Sequence, residues 1–180
     1  MSNILRRDSK TDRELQRITS LLDIQDADRK HALAHTLKEL QSLAWQIDPG
    51  IKLYGRIKTD ASISVKMASN HLDVNQVLDI IGIRVITQNT RDCYRLINRI
   101  HSKFVALERE YDDYIAAPKT NGYQSIHTTV ISSSGFAIEI QIRTLSMQVL
   151  CERGPAAHSL YKKNTSDGYQ FQPCHFRRSR

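Results

Sequence analysis

A chain of 180 residues with 40% apolar and 25% charged residues sits near the average for globular domains, which excludes a disordered or fibrous protein and fits one domain with its own core. No apolar run exceeds four residues, far short of the roughly 18 to 20 that cross a bilayer, and no apolar segment follows the charged N-terminus, so no membrane span or signal peptide is expected and a cytoplasmic site of action is. Twenty-six Lys and Arg against nineteen Asp and Glu give a net charge of +7, which favours a phosphate-bearing partner without choosing among nucleotide, nucleic acid and anionic surface.

Residues 11 to 47 read as helix, because Leu33, Leu37, Leu40, Ala44 and Ile47 recur at helical spacing, and Asp48-Pro49-Gly50 ends it. Ile51 to Lys58 alternates like a strand, and Asp60 is the expected cap of a short helix from Ala61 to Asn70. Asp79 to Ile86 is β-branched and apolar on both faces, the mark of a central buried strand. A helix from Thr90 to Phe104 carries Cys93, Leu96, Ile97, Ile100 and Phe104 on one face. The stretch from Ala106 to Gln124, with Pro118 and the turn-forming Asn121-Gly122, is predicted to be a long irregular loop of the kind that carries function. Strands at His127 to Ile131 and Phe136 to Ile142 flank Ser132 to Gly135 as a hairpin, and a last helix runs from Leu145 to Tyr161. Residues 164 to 180 are polar, aperiodic and end in Arg177, Arg178 and Arg180, so a flexible basic tail is expected. The organisation is a helical segment at 1–50, a core domain at 51–163 and the tail at 164–180. Helices interleaved with strands and a hairpin predict an α+β fold on a mixed sheet flanked by helices. Cys93, Cys151 and Cys174 are odd in number, widely spaced and lack any Cys-x-x-Cys pair, so they read as free thiols.

Alternation along Phe136 to Arg143 turns Phe136, Ile138, Ile140 and Ile142 to one side and Glu139, Gln141 and Arg143 to the other. The polar row could be an ordinary solvated face. Asp79, however, opens a buried strand, where a carboxylate needs a cation, and carboxylates on neighbouring strands suit Mg²⁺ completed by substrate phosphates. Otherwise Asp79 is only a cap. Arg56 and Lys58 share a strand face, and Ser62 and Lys66 share a helix face; together they could meet a polyphosphate or could be solvated. The loop adds Lys119, Asn121, Tyr123 and Gln124, with His127 at the next strand: a cation, amides, an aromatic plane and an imidazole suited to a nucleotide.

Five blocks in this order and spacing, Tyr54 to Lys58 with Ser62 and Lys66, Asp79 to Arg84, Asp113 to His127, Glu139 to Thr144, and Ala156 to His158, closely resemble the synthetase domain of RelA/SpoT-type alarmone enzymes over residues 52 to 163. The resemblance implies a nucleotidyltransferase-like fold and transfer of pyrophosphate from ATP to the 3′-hydroxyl of GDP or GTP. It implies that Arg56, Lys58, Ser62 and Lys66 cradle ATP, that Asp79 and Glu139 hold Mg²⁺ with Glu139 also taking the proton, and that Lys119, Asn121, Tyr123, Gln124 and His127 form the acceptor site, Tyr123 stacking on guanine. Arg84, Gln141, Arg143 and His158 stand at supporting positions. The acidic run Glu110-Tyr111-Asp112-Asp113 resembles that of dedicated synthetases, whereas Phe104, Pro155 and Ser159 depart from the family pattern. No His-Asp dipeptide occurs and little chain precedes the first block, so alarmone hydrolysis is not expected and the chain resembles a small stand-alone synthetase or an excised domain. A homo-oligomer, and RNA contact through the tail, are open to it but not required. Other readings are a catalytically inactive nucleotide-binding regulator, an RNA-binding module, and a toxin-like relative acting on adenine nucleotides or tRNA.

Overall fold

The structure, a computed structural model, describes the backbone of residues 9–71, 77–153 and 172–173, and side chains between 26 and 152 except 70 and 72–76. His158, Pro155, Ser159, Cys174 and most of the expected tail lie outside the described residues. Helix α1 (Ser9–Trp45) precedes strand β1 (Lys52–Ile57), helix α2 (Asp60–Asn70), strand β2 (Ile81–Thr87) and helix α3 (Thr90–Lys103). Short strands β3 (Val105–Ala106) and β4 (Asp112–Asp113) follow, then the hairpin β5 (Ile126–Ile131) and β6 (Ala137–Thr144), helix α4 (Leu145–Arg153) and β7 (Gln172–Pro173).

The strands form one seven-stranded sheet in the order β3-β5-β6-β2-β1-β7, with β4 also paired to β5. Among the described residues only β2 and β6 run parallel; the other pairs are antiparallel. The expected mixed sheet with flanking helices is therefore present. Its central ladder aligns Ile81, Ile83 and Val85 of β2 with Ile138, Ile140 and Ile142 of β6, and all six are essentially inaccessible to solvent. Burying each such side chain contributes roughly 1.5–3 kcal/mol. Leu37, Leu40 and Ala44 of α1 and Leu96, Ile97 and Ile100 of α3 complete the same core. Helix α1 approaches β1 closely at Gly55, where an added Cβ would lie 2.9 Å from Leu37 Cδ1 and 3.1 Å from Leu33 Cδ1. The residues of 26–45 thus pack as part of the sheet's own core.

Several local expectations are corrected. The cap of α2 is Thr59, whose side chain accepts from the Ser62 amide, while Asp60 is the first helical residue; a Thr hydroxyl in extended backbone reaches the third amide as well as an Asp does. Asp79 lies in the turn before β2, two residues ahead of the strand. The long stretch after α3 is not irregular throughout: it holds β3, a 3₁₀ turn at Glu108–Glu110 and β4. These pairings are too short to show a period in sequence. Ile47 falls beyond α1, where the amides of Ile47 and Asp48 both donate to the Ala44 carbonyl. Within the expected tail, Gln172 and Pro173 pair with Gly55 and Tyr54. Among the described residues no helix is long and apolar enough to cross a membrane.

Candidate active site

The sheet face opposite the α1–α3 core carries the polar residues, because a two-residue period puts every second side chain there. The register builds two rows across it: Arg56, Gly82, Glu139 and Thr129 in one, Tyr54, Arg84, Gln141 and His127 in the next. Gly82 leaves the space in which Arg56 lies; a Cβ there would come within 3.1 Å of Arg56 Nε and 3.4 Å of its Cγ. Burial pushes the Arg84 guanidinium down to about 10, helped by the like charges of Arg143 and Arg56. A face so charged attracts anions.

Asp79 anchors one end of this face. The Lys58 amide donates to the Ile80 carbonyl at 2.8 Å, which continues the β1–β2 ladder into the turn and brings Lys58 Nζ to 2.6 Å from Asp79 Oδ2. Lys66, one turn along α2 from Ser62, places its Nζ 2.7 Å from Asp79 Oδ1. Burial raises the Asp79 carboxyl, but the two ammonium groups outweigh it and hold the group below the usual range. Ser62 is buried beside Thr59, their hydroxyls 3.3 Å apart. The structure thus brings Lys58, Lys66 and Asp79 together, with both lysines engaged by the carboxylate.

Glu139 is the second ionised carboxylate. Burial again raises its proton affinity, and His127, Gln141 and Arg56 reverse the effect to a net lowering. His127 Nδ1 lies 3.4 Å from Glu139 Oε1, and His127 Nε2 lies 2.7 Å from the Tyr123 hydroxyl. Arg143 Nη2 donates to that hydroxyl at 2.9 Å and to Gln141 Oε1 at 2.7 Å. Arg143 shares the face of Gln141, to which it is hydrogen-bonded, but is buried there at 3% exposure and not solvated.

The loop around Lys119 to Gln124 is shaped by its own backbone. Gly122 takes φ +80° and its amide donates to the Lys119 carbonyl, while Asn121 Oδ1 accepts from the Tyr123 amide at 3.1 Å. That turn buries Tyr123 just before β5, beside Cys151 and Tyr114, and leaves Lys119 exposed, with Gln124 half-buried. Tyr123 is 7% exposed and meets Tyr114 and His127 edge-on. Arg143 Cζ and Lys119 Nζ lie 5.1 Å and 5.6 Å from its ring centre. Tyr114 is the ring that sequence reasoning left without a role: Lys119 Nζ stands 4.0 Å from its centroid. Its place follows from Asp113, whose Oδ1 accepts from the amides of Ile115 and Ala116; a Tyr beside an Asp turn was the only local signal.

Asp79 and Glu139 stand in separate clusters, and among the described residues no group of three or more His, Cys, Asp or Glu could enclose a metal. The donor set nonetheless fits Mg²⁺: both are ionised oxygen ligands, and this ion takes one or two carboxylates and fills its shell with water and phosphate oxygens.

A family model described as the region found in RelA / SpoT proteins matches residues 55–166. The GTP pyrophosphokinase of Haemophilus influenzae is 40% identical over 149 residues, which cover 83% of this chain and 20% of that protein. The guanosine-3′,5′-bis(diphosphate) 3′-pyrophosphohydrolase of Spiroplasma citri is 36% identical over 151 residues, again 20% of its length. The chain thus spans about a fifth of these relatives. Among solved structures, the small alarmone synthetase 1 of Bacillus subtilis bound to its product pppGpp is similar with a TM-score of 0.57 and 27% identity, covering 87% of this chain and 83% of that one. The small alarmone synthetase 2 of the same organism gives 0.63 and 25%, covering 79% and 82%.

Proposed function

Because the chain belongs to the family defined by the region found in RelA / SpoT proteins, we propose that it is a (p)ppGpp synthetase, moving the pyrophosphoryl group of ATP to the 3′-hydroxyl of GDP or GTP and releasing AMP. The observation that carries this reading is Glu139: an ionised carboxylate on a sheet face lined by arginines and joined by His127 to an aromatic acceptor loop. Transfer of a phosphoryl-type group asks for positioning and charge neutralisation more than for covalent catalysis. The names of the relatives and the pppGpp-bound neighbour support the same reaction.

Lys58, Lys66, Ser62 and Arg56 bind the ATP phosphates, the two lysines exchanging the Asp79 carboxylate for phosphate oxygens. Asp79 and Glu139 would hold Mg²⁺, which supplies charge neutralisation on the phosphates when bound. The acceptor's guanine lies against Tyr123 once exposed Lys119 moves off the rings, and Asn121, Gln124 and Lys119 meet its polar edge and phosphates. Glu139 takes the 3′-hydroxyl proton as that oxygen bonds to the β-phosphorus and the bond to the α-phosphate oxygen breaks. Arg84, Gln141 and Arg143 orient these groups.

Incubation with γ-labelled ATP, Mg²⁺ and one acceptor at a time tests the reading. Label is expected on GDP or GTP, with AMP released in equal amount. Label on an adenine nucleotide or on tRNA, or no transfer at all, would reject it.

A further inference from the structure

Arg143 is 3% exposed, yet among the described residues no carboxylate lies within ion-pair distance of it. Its partners are neutral: the Tyr123 hydroxyl and the Gln141 amide oxygen. Among the described residues its Nε has no hydrogen-bond partner, and Arg84 adds like-charge repulsion. An aliphatic side chain of similar length would fill this position without the cost of desolvating a charge. The guanidinium therefore has to be accounted for by what it holds.

What it holds is directional. His127 Nδ1 faces Glu139 Oε1 at 3.4 Å, an ion-pair contact longer than a normal hydrogen bond, and a carboxylate oxygen offers that nitrogen an acceptor. With the proton assigned to Nδ1, Nε2 is an acceptor, and the Tyr123 hydroxyl 2.7 Å away is assigned as its donor. With its proton committed, that hydroxyl receives from Arg143, which can only donate. Assigned in this way, the two hydrogen bonds and the His127–Glu139 contact all point toward the carboxylate. We propose that Arg143 is a positioning residue for the transfer, fixing the Glu139 carboxylate through the chain Arg143 to Tyr123 to His127 to Glu139. The inference rests on the function proposed above for Glu139, and it gives Tyr123 a second task, separate from stacking, that resides in its hydroxyl alone. Oε1 of Glu139 is tied to His127, which leaves Oε2 for the reacting hydroxyl.

The variants Tyr123→Phe, Arg143→Met and their combination test the chain, because Phe keeps the aromatic plane and removes only the hydroxyl. Each single variant is expected to lower kcat by about ten- to a hundredfold, the scale of a misplaced reacting group, with KM for ATP and for the guanine nucleotide changed less than about threefold. The double variant should fall no further than the worse single, as for two links of one series. Nitrogen NMR of the imidazoles, which does not depend on turnover, should place the His127 proton on Nδ1 in the wild type and shift it toward Nε2 in Tyr123→Phe. If Arg143→Met does not fold, Tyr123→Phe alone carries the test. A Tyr123→Phe protein with wild-type kcat and an unchanged His127 proton overturns the proposal, as do multiplicative losses in the double variant. A wild type that transfers no label fails the functional reading instead, and the imidazole measurement still decides the chain.

Discussion

Replacing Asp79 by Asn removes the carboxylate that the Lys58 and Lys66 ammonium groups both face. Lys58 Nζ and Lys66 Nζ lie 2.6 Å and 2.7 Å from the two carboxylate oxygens, and the Lys58 side chain is 8% exposed. Breaking a buried pair from one side costs roughly 3–5 kcal/mol. Asp79 and Lys66 are 25% and 35% exposed, so water and rearrangement of Lys66 reduce that to about 2 kcal/mol, or a fall in Tm of roughly 4–8 °C for a domain of this size. The sign with pH follows from the depressed Asp79 group: its stabilisation is complete above the unfolded value of about 3.9 and is lost as pH falls through the lower folded value. The gap between wild type and variant should therefore be full at neutral pH and close in strong acid. Inorganic tripolyphosphate should raise the Tm of the variant more than that of wild type, because its lysines no longer have to give up a carboxylate to bind it. Calorimetry across pH, with and without tripolyphosphate, measures all three. A variant that melts within about 1 °C of wild type and gains no more from tripolyphosphate would refute the view of Asp79 as the resting partner of the phosphate-binding lysines.

Glu139→Gln should keep nucleotide binding within a few-fold while cutting turnover at least about a hundredfold, since the amide neither takes the proton nor carries the charge; calorimetric titration beside the label assay separates the two. Gly82→Ala should leave Tm almost unchanged, because only the flexible Arg56 side chain stands in the way, but should lower turnover about tenfold as Arg56 is displaced beside Glu139; equal losses of stability and turnover would count against that placement. His101 accepts or donates a bond to Thr128 Oγ1 at 2.9 Å, and burial lowers its pKa. The unfolded chain then binds the proton more readily, so stability should fall as pH drops from about 6.5 through the depressed folded value, and His101→Gln should flatten that part of the profile in urea titrations.

The elements that span several turns or a full ladder were legible because their period is local. Ile138, Ile140 and Ile142 alternate with Glu139 and Gln141 in the sequence, and they do so in the sheet. What escaped were facts of register and distance. Arg143 reads as the last member of a polar row, but its burial depends on Tyr123, twenty residues earlier in the chain. The pairing of Lys58 with Asp79 depends on a single backbone bond from Lys58 to Ile80 that no spacing rule encodes. Thr59 and Asp60 are adjacent candidates for one cap, and only the backbone angles separate them. Tyr123 is legible as an aromatic near a nucleotide site, but not as a ring whose surroundings are already filled by Lys119, Arg143, Tyr114 and His127.

Those filled surroundings bear on the energetics of the site. Asp79 is neutralised by Lys58 and Lys66, and the Glu139 charge is stabilised by His127, Gln141 and Arg56. A substrate that enters such a site exchanges one set of partners for another, so the gain in the ground state is a difference between similar terms and stays modest. In the transfer proposed above, the charge that develops has no equivalent in the resting protein, and donors held on the sheet would meet it without further reorganisation. Interactions stronger in the transition state than in the bound substrates raise kcat, while those equal in both only lower KM. On that proposal the resting ion pairs bias the use of this cationic face toward the transfer step, and they keep its buried charges satisfied.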